Sequence, residues 1–97
     1  MLSNDLHFVR ELNEKVTTYC RYVTNAKQYD VIALQRVLDE IQQNKQKIEQ
    51  NHDRYEHAQY EFRPHVPFQS LVDELTFCEA GLTGIIAELN QYTPKYR

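Results

Sequence analysis

Apolar residues recur along the first part of the chain at alternating steps of three and four, the spacing that places side chains on one face of an α-helix. A second series begins at Val31 in a different phase. The change of phase predicts a break near residues 27–30, where the Asp30 carboxylate would cap the second helix. One continuous helix is the alternative, because this stretch contains neither Gly nor Pro. The first series comprises Leu2, Val9, Leu12, Val16, Tyr19, Val23 and Ala26.

The second series runs without interruption to residue 62 and predicts a long, coiled-coil-like helix of about 50 Å. Three of its inward positions are polar, namely Lys45, His52 and Gln59. Polar residues in a helical seam weaken its packing. We therefore expect self-association, or docking onto another protein, to cover this stretch. The whole series is Val31, Leu34, Leu38, Ile41, Lys45, Ile48, His52, Tyr55, Gln59 and Phe62.

The third apolar stripe begins at Phe68, after a short linker that contains two prolines. It includes Gly81 and Gly84, each of which costs about 1 kcal/mol relative to Ala in a helix interior. We expect close packing of another helix inside the bundle to offset this cost, with a kink near the glycines as the alternative. The small side chains that would admit the neighbouring helix are Ala80, Gly84 and Ala87.

These patterns predict an all-α fold, a three-helix antiparallel bundle with a long, coiled-coil-like second helix. A chain of 97 residues is the size of one domain. Short polar side chains at Ser3, Asn4 and Asp5 are candidates for the cap of the first helix. The predicted helices cover about residues 4–28, 31–62 and 68–92.

Composition excludes several classes of function. Lys and Arg number 11 against 14 Asp and Glu, and this net charge of -3 disfavours binding to nucleic acids. Two Gly in the whole chain are too few for a phosphate-binding loop or a nucleophile elbow. No signal peptide and no apolar run of about 20 residues is visible, so we expect a cytoplasmic location without membrane contact. Cys20 and Cys78 are then ordinary buried thiols.

Histidines and carboxylates cluster in the second half of the predicted second helix. His52 with Glu56, and Asp53 with His57, are one helical turn apart, so each pair can bind one metal ion. The spacing resembles that of hemerythrin-like and ferritin-like di-iron bundles, which implies ligands that point into the bundle core from facing helices. We predict no resident metal or cofactor. A metal-binding bundle with this His and carboxylate site is the alternative function.

Aromatic and charged residues outside the apolar stripes predict a protein-binding role. Tyr and Arg are enriched at protein interfaces, and Tyr60 has His57 and Arg63 one helical turn away. The third helix carries acidic residues but no Lys or Arg between positions 64 and 94, so either neighbouring helices or a basic partner protein would balance its charge. The candidate protein-binding residues are Tyr55, His57, Tyr60, Arg63, Asp73 and Glu74.

The sequence thus predicts a small, non-catalytic cytosolic protein that binds another protein as an inhibitor, adaptor or chaperone. A phage or bacterial accessory protein is the expected context, and a homodimer is a second expectation. Stacking of nucleic-acid bases on Tyr55 and Tyr60, beside Arg54 and Arg63, is a further alternative. Neighbouring carboxylates oppose it, and we predict neither a nucleic-acid partner nor a membrane partner.

Overall fold

The computed structural model describes residues 3–92, and within that range it consists of helices and their connections. The all-α class is confirmed. The predicted count of three helices is wrong, because the described residues form four α-helices. They are α1 (Ser3–Thr24), α2 (Val31–Gln50), α3 (His52–Phe62) and α4 (Phe68–Tyr92), with a short 3-10 turn at Ala26–Gln28.

The break between α1 and α2 lies where the change of phase predicts it. Asp30 precedes α2, and its Oδ1 accepts a hydrogen bond from the Ala33 N–H at 2.8 Å. This bond satisfies one of the free N–H groups in the first turn of the helix. α1 ends earlier than predicted, at Thr24, and after Asn25 the 3-10 turn occupies the last three residues of the predicted helix.

The predicted helix over residues 31–62 is interrupted at Asn51, which has φ -134° and ψ 35°. The Asn51 N–H donates to the carbonyl oxygens of Lys47 and Ile48, at 3.1 Å each. Its side-chain Nδ2 also donates to the Lys47 carbonyl at 3.3 Å, while its own carbonyl accepts from the Tyr55 N–H. Asn side chains compete with the hydrogen bonds of a helix. One residue therefore ends α2 and precedes α3.

Helix α3 folds back along α1 instead of continuing the course of α2. α2 runs antiparallel to α1, with its last turns beside the first turns of α1. At the start of α3 the Arg54 guanidinium donates to Asp5, and further along α3 the Gln59 Oε1 accepts from Asn13 Nδ2 at 2.6 Å. α3 therefore covers the first half of α1.

Side chains from all four α-helices form one hydrophobic core. The predicted inward positions from Val9 to Tyr19 in α1, and from Phe68 to Leu82 in α4, are buried. Two further buried residues, Asp5 in α1 and Ile86 in α4, lie outside these spans. Full burial of such a side chain contributes about 1.5–3 kcal/mol. Among the largest completely buried side chains are Leu12, Leu34, Ile41, Leu75 and Leu82.

The three polar residues predicted in the seam contact other helices of the chain and are buried to different degrees. Lys45 Nζ lies 2.6 Å from Glu79 Oε1 on α4. The half-buried His52 ring packs edge-on against Phe68, with 5.2 Å between ring centroids. Gln59 is completely buried. Packing within the chain thus covers Gln59 completely and Lys45 and His52 in part, and the expected self-association or docking at this stretch stays a prediction.

Only one of the two glycines in α4 lies at a close helix contact. A Cβ at Gly81 would lie 3.2 Å from Val23 Cγ1, so α1 approaches α4 closely there. A Cβ at Gly84 would meet nothing within 4 Å, and Ala80, Gly84 and Ala87 are all exposed. The predicted internal packing against this strip is wrong for that reason. α4 continues as one helix through both glycines.

Replacement of Gly84 by Ala is expected to stabilise the fold by about 1 kcal/mol, because Ala is the better helix former and the added methyl group meets no other atom. Gly81→Ala is the matched control. Its methyl group crowds Val23, so we expect little or no net gain. Urea unfolding of both variants and the wild type measures the two effects. Equal gains at the two positions would contradict the close contact between α1 and α4.

Candidate protein-binding surface

The structure exposes five of the six predicted protein-binding residues and buries the sixth. Tyr55 is 7% exposed, and its ring packs on Phe8 with 4.4 Å between centroids. The prediction that Tyr55 is a binding residue is therefore wrong. Tyr55 belongs to the core, as its inward position in the apolar series indicates. The exposed residues are His57, Tyr60, Arg63, Asp73 and Glu74.

The linker between α3 and α4, residues 63–67, is held by local hydrogen bonds. The Val66 N–H donates to the Arg63 carbonyl, and the Ser70 N–H donates to the Pro67 carbonyl, both at 3.0 Å. Pro64 lacks a backbone N–H and so cannot continue the helical hydrogen bonds of α3. Phe68, which is buried, anchors the first turn of α4 in the core. The linker therefore has a defined path over the surface.

A cavity of about 320 Å³ opens on one side of this linker, and Tyr60 is part of its wall. Tyr60 is 67% exposed, although it is a large aromatic residue. Concave sites of this size with mostly apolar walls are typical of ligand and side-chain binding. The wall includes Glu56, Tyr60, Pro64, Val66, Pro67 and Phe68.

A second cavity, of about 480 Å³, lies on the other side of Val66. Arg63 and Glu74 both line it, so the structure brings together two predicted residues of opposite charge. Within the described residues neither has an ion pair. The term linker surface is used below for these two cavities together with four residues that line them. The four residues are Tyr60, Arg63, Val66 and Glu74.

Asn13 on α1 contacts Arg63 at this surface. Its Oδ1 accepts a hydrogen bond from Arg63 Nη1 at 3.5 Å. Its Nδ2 donates to the Val9 carbonyl at 2.9 Å and to Gln59 Oε1 at 2.6 Å. Arg63 therefore has one long, exposed hydrogen bond to α1, through a side chain that two shorter bonds hold in place.

The other two exposed candidates line neither cavity of the linker surface. His57 Nε2 is 3.9 Å from Glu61 Oε1, one turn further along α3. Asp73 Oδ1 accepts a hydrogen bond from Gln69 Nε2 at 2.9 Å, and Gln69 lines the cavity beside Tyr60. Asp73 therefore connects with the linker surface through Gln69, whereas His57 has its contact within α3.

The acidic residues of α4 differ in how they are balanced. Glu79 pairs with Lys45, but Asp73, Glu74 and Glu88 have no ion pair within residues 3–92. An exposed aromatic residue that is not among the predicted binding residues, Phe77, lies one helical turn after Asp73 and Glu74 on α4. Its position off the apolar stripe of α4 is the signal that could have identified it.

Three of the four residues considered as metal ligands converge in the first turn of α3. Ligand atoms of His52, Asp53 and Glu56 all lie within 4.8 Å of one another, whereas His57 pairs with Glu61 instead. The cluster lies at the surface and not in the core, contrary to what the resemblance to di-iron bundles implies. It also lies at the positive end of the helix dipole, which opposes a cation.

Two of the four residues named for the stacking of nucleic-acid bases are not available for it. Tyr55 is buried, and the Arg54 guanidinium donates to both carboxylate oxygens of Asp5, at 2.7 and 3.3 Å. Tyr60 and Arg63 remain exposed, but they border two different cavities. No paired aromatic platform is formed by the residues named for it.

Shifted pKa values occur away from the linker surface. Burial, followed by a hydrogen bond to Glu40, raises the pKa of Tyr19 above its ordinary value. The hydrogen bond from Tyr19 lowers the pKa of Glu40. Burial, followed by contact with Cys20, raises the pKa of the Cys78 thiol to about 12. These groups lie where α1 contacts α2 and α4, and none lines either cavity of the linker surface.

The fold and the linker surface define a small helical bundle with two adjoining shallow cavities. No protein-family model matches the chain, and no curated protein or solved structure matches it. Each helix in the described part of the chain is too short or too polar to cross a lipid bilayer.

Proposed function

We propose that this protein is a non-catalytic binding module that docks a segment of another protein on the linker surface. The observation that carries the proposal is the position of Tyr60, a 67% exposed aromatic residue beside an apolar cavity. Arg63 and Glu74 border the adjoining cavity, on the other side of Val66. Exposed Tyr and Arg residues beside pockets are the usual anchors of protein interfaces.

The charge of α4 supports a basic partner segment. Asp73 and Glu74 have no ion pair within the described residues, and residues 65–93 contain no Lys or Arg. A segment with an apolar side chain for the cavity beside Tyr60, and with Lys or Arg opposite these carboxylates, complements the surface. Complementary charges of this kind raise the association rate and select the partner. We propose that such a small module acts as an inhibitor, adaptor or chaperone and works in the cytoplasm. We also propose that it is an accessory protein of a phage or a bacterium.

Affinity purification from a lysate of the source organism tests the proposal with three baits: the wild type, Tyr60→Ser and Ile32→Ser. Ile32 is the matched control, because it is 66% exposed and lies at the start of α2, outside the linker surface. We expect the wild type and Ile32→Ser to recover the same protein. Tyr60→Ser is expected to recover it at least about tenfold less well, as for loss of an interface anchor.

The recovered protein is then titrated with purified wild type and with Glu74→Lys at two salt concentrations. We expect Glu74→Lys to weaken binding, and added salt to reduce the difference between the two. Equal recovery by Tyr60→Ser and Ile32→Ser would contradict the proposal. Light scattering of the purified chain tests the homodimer, and a dimer that Tyr60→Ser dissociates would assign the linker surface to self-association instead.

A further inference from the structure

The two cysteines of the chain, 58 positions apart, lie in contact between α1 and α4. Cys20 Sγ is 3.5 Å from Cys78 Sγ, and both residues are free thiols. Cys78 is completely buried, whereas Cys20 is partly exposed. A disulfide has its sulfur atoms about 2.05 Å apart, so a further approach of about 1.5 Å would join them.

The packing of α1 against α4 fixes this contact. Val23 lies three residues after Cys20, and Gly81 lies three residues after Cys78. A Cβ at Gly81 would lie 3.2 Å from Val23 Cγ1, so the absence of a side chain allows the two helices to approach there. The contact of Cys20 with Cys78 is thus followed, three residues later in each helix, by the contact of Val23 with Gly81. The two helices therefore run in the same direction and keep one register through both contacts. Folding therefore brings the two sulfur atoms together.

We propose that Cys20 and Cys78 form a modification site at which a hydroperoxide such as hydrogen peroxide produces an intramolecular disulfide. In the first step the Cys20 sulfur attacks one oxygen of hydrogen peroxide, an S–O bond forms and the O–O bond breaks. The leaving hydroxide takes the Cys20 thiol proton, so Cys20 sulfenic acid and water form; an organic hydroperoxide would release its alcohol in place of the water. In the second step the Cys78 sulfur attacks the sulfenic sulfur, an S–S bond forms, the S–O bond breaks, and a second water leaves with the Cys78 thiol proton. The two thiols lose two electrons in total, and the peroxide gains them.

The different surroundings of the two thiols set the order of these steps. Cys20 is the thiol that a dissolved oxidant can reach, because it is only partly buried. Cys78 is shielded, and its raised pKa keeps it protonated at neutral pH, so it reacts poorly with peroxide in solution. It is nonetheless held beside the sulfur of Cys20. This inference is independent of the proposed protein-binding role.

The test treats the reduced, full-length wild type with hydrogen peroxide and analyses it under non-reducing conditions. We expect a monomer whose mass falls by two hydrogen atoms and whose free thiols fall from two to none. Trypsin is expected to leave the peptides 16–21 and 55–95 joined. The unfolding midpoint is expected to rise by about 10 °C or more, because the bond closes a long loop. Dithiothreitol should reverse each change.

Cys78→Ser and Cys20→Ser are the paired controls. Cys78→Ser should retain sulfenic acid at Cys20, which dimedone traps, whereas Cys20→Ser should react much more slowly. Persistence of both thiols in the treated wild type would overturn the proposal. So would a disulfide-linked dimer, or oxidation of the wild type to sulfinic acid without an S–S bond.

Discussion

Replacement of Arg54 by Ala is expected to destabilise the fold by about 2–3 kcal/mol, because it leaves a shielded carboxylate without its cation. The Asp5 side chain is only 8% exposed, and Arg54 Nη2 donates to its Oδ1 at 2.7 Å. A second bond, from Arg54 Nε to Asp5 Oδ2, is 3.3 Å long. The effect is smaller than for a fully buried pair, since Arg54 itself is half-exposed and its removal admits some water.

A double-mutant cycle separates this ion pair from other effects of the substitution. Asp5→Asn removes the charge that needs a partner, so Arg54→Ala should cost markedly less in that background. Arg36→Ala, at an exposed position on α2, is the matched control and should change stability by no more than about 0.5 kcal/mol. Urea unfolding at neutral pH measures all variants. Similar losses for Arg54→Ala in the two backgrounds would contradict the role assigned to Asp5.

This ion pair also shows why the long second helix was a reasonable but incorrect prediction. The apolar series keeps one phase through Asn51, so periodicity alone gives no sign of a break there. The local signal was present, because Asn51 is a residue that often begins helices and an acidic residue, Asp53, follows in the first turn. Asp5 was predicted as a candidate for the cap of the first helix. Its partner in the structure is Arg54 on α3, and the two meet because the chain changes direction at Asn51, which periodicity cannot predict.

Inward and outward positions were predicted better than the contacts between helices. Gln59 and Tyr55 both belong to the inward series of the sequence, and both are buried. The choice of Tyr55 as a binding residue disregarded that assignment. The meeting of Arg63 with Glu74 at one cavity depends on the path of the linker. The contact of Cys20 with Cys78 depends on the register of α1 against α4, which a pattern along one helix does not contain.

Tyr19→Phe is expected to destabilise the fold by about 2 kcal/mol at neutral pH, as for the loss of a hydrogen bond to a charged group. The buried Tyr19 hydroxyl donates to Glu40 Oε2 at 2.5 Å and accepts from Asn44 Nδ2 at 2.9 Å. Lys15 Nζ lies 3.2 Å from the same Glu40 oxygen, but the Glu40 side chain is 44% exposed. Solvent therefore screens that ion pair, and we assign most of the effect to the hydrogen bond.

The loss of stability caused by Tyr19→Phe should become smaller both at acidic pH, where Glu40 is protonated, and at alkaline pH, where Tyr19 titrates. The folded state lowers the pKa of Glu40 below its ordinary value of 4.5, so the stabilisation from the ionised Glu40 is complete above pH 4.5 and is lost as the pH falls through the folded pKa. The folded state raises the pKa of Tyr19 above its ordinary value of 10.0. Its contribution is complete below pH 10 and is lost as the pH rises towards the folded pKa. The difference between wild type and Tyr19→Phe should therefore be largest between these limits.

Urea unfolding of both proteins from about pH 3 to pH 11, a range chosen to bracket the ordinary pKa values of Glu and Tyr, measures this profile. Tyr22→Phe is the matched control, because the half-buried Tyr22 ring packs on Tyr29 with 4.5 Å between centroids. We expect it to change stability by no more than about 0.5 kcal/mol, with no maximum near neutral pH. A difference for Tyr19→Phe that stays constant across the range would show that lost packing, and not the bond to an ionised Glu40, causes the destabilisation.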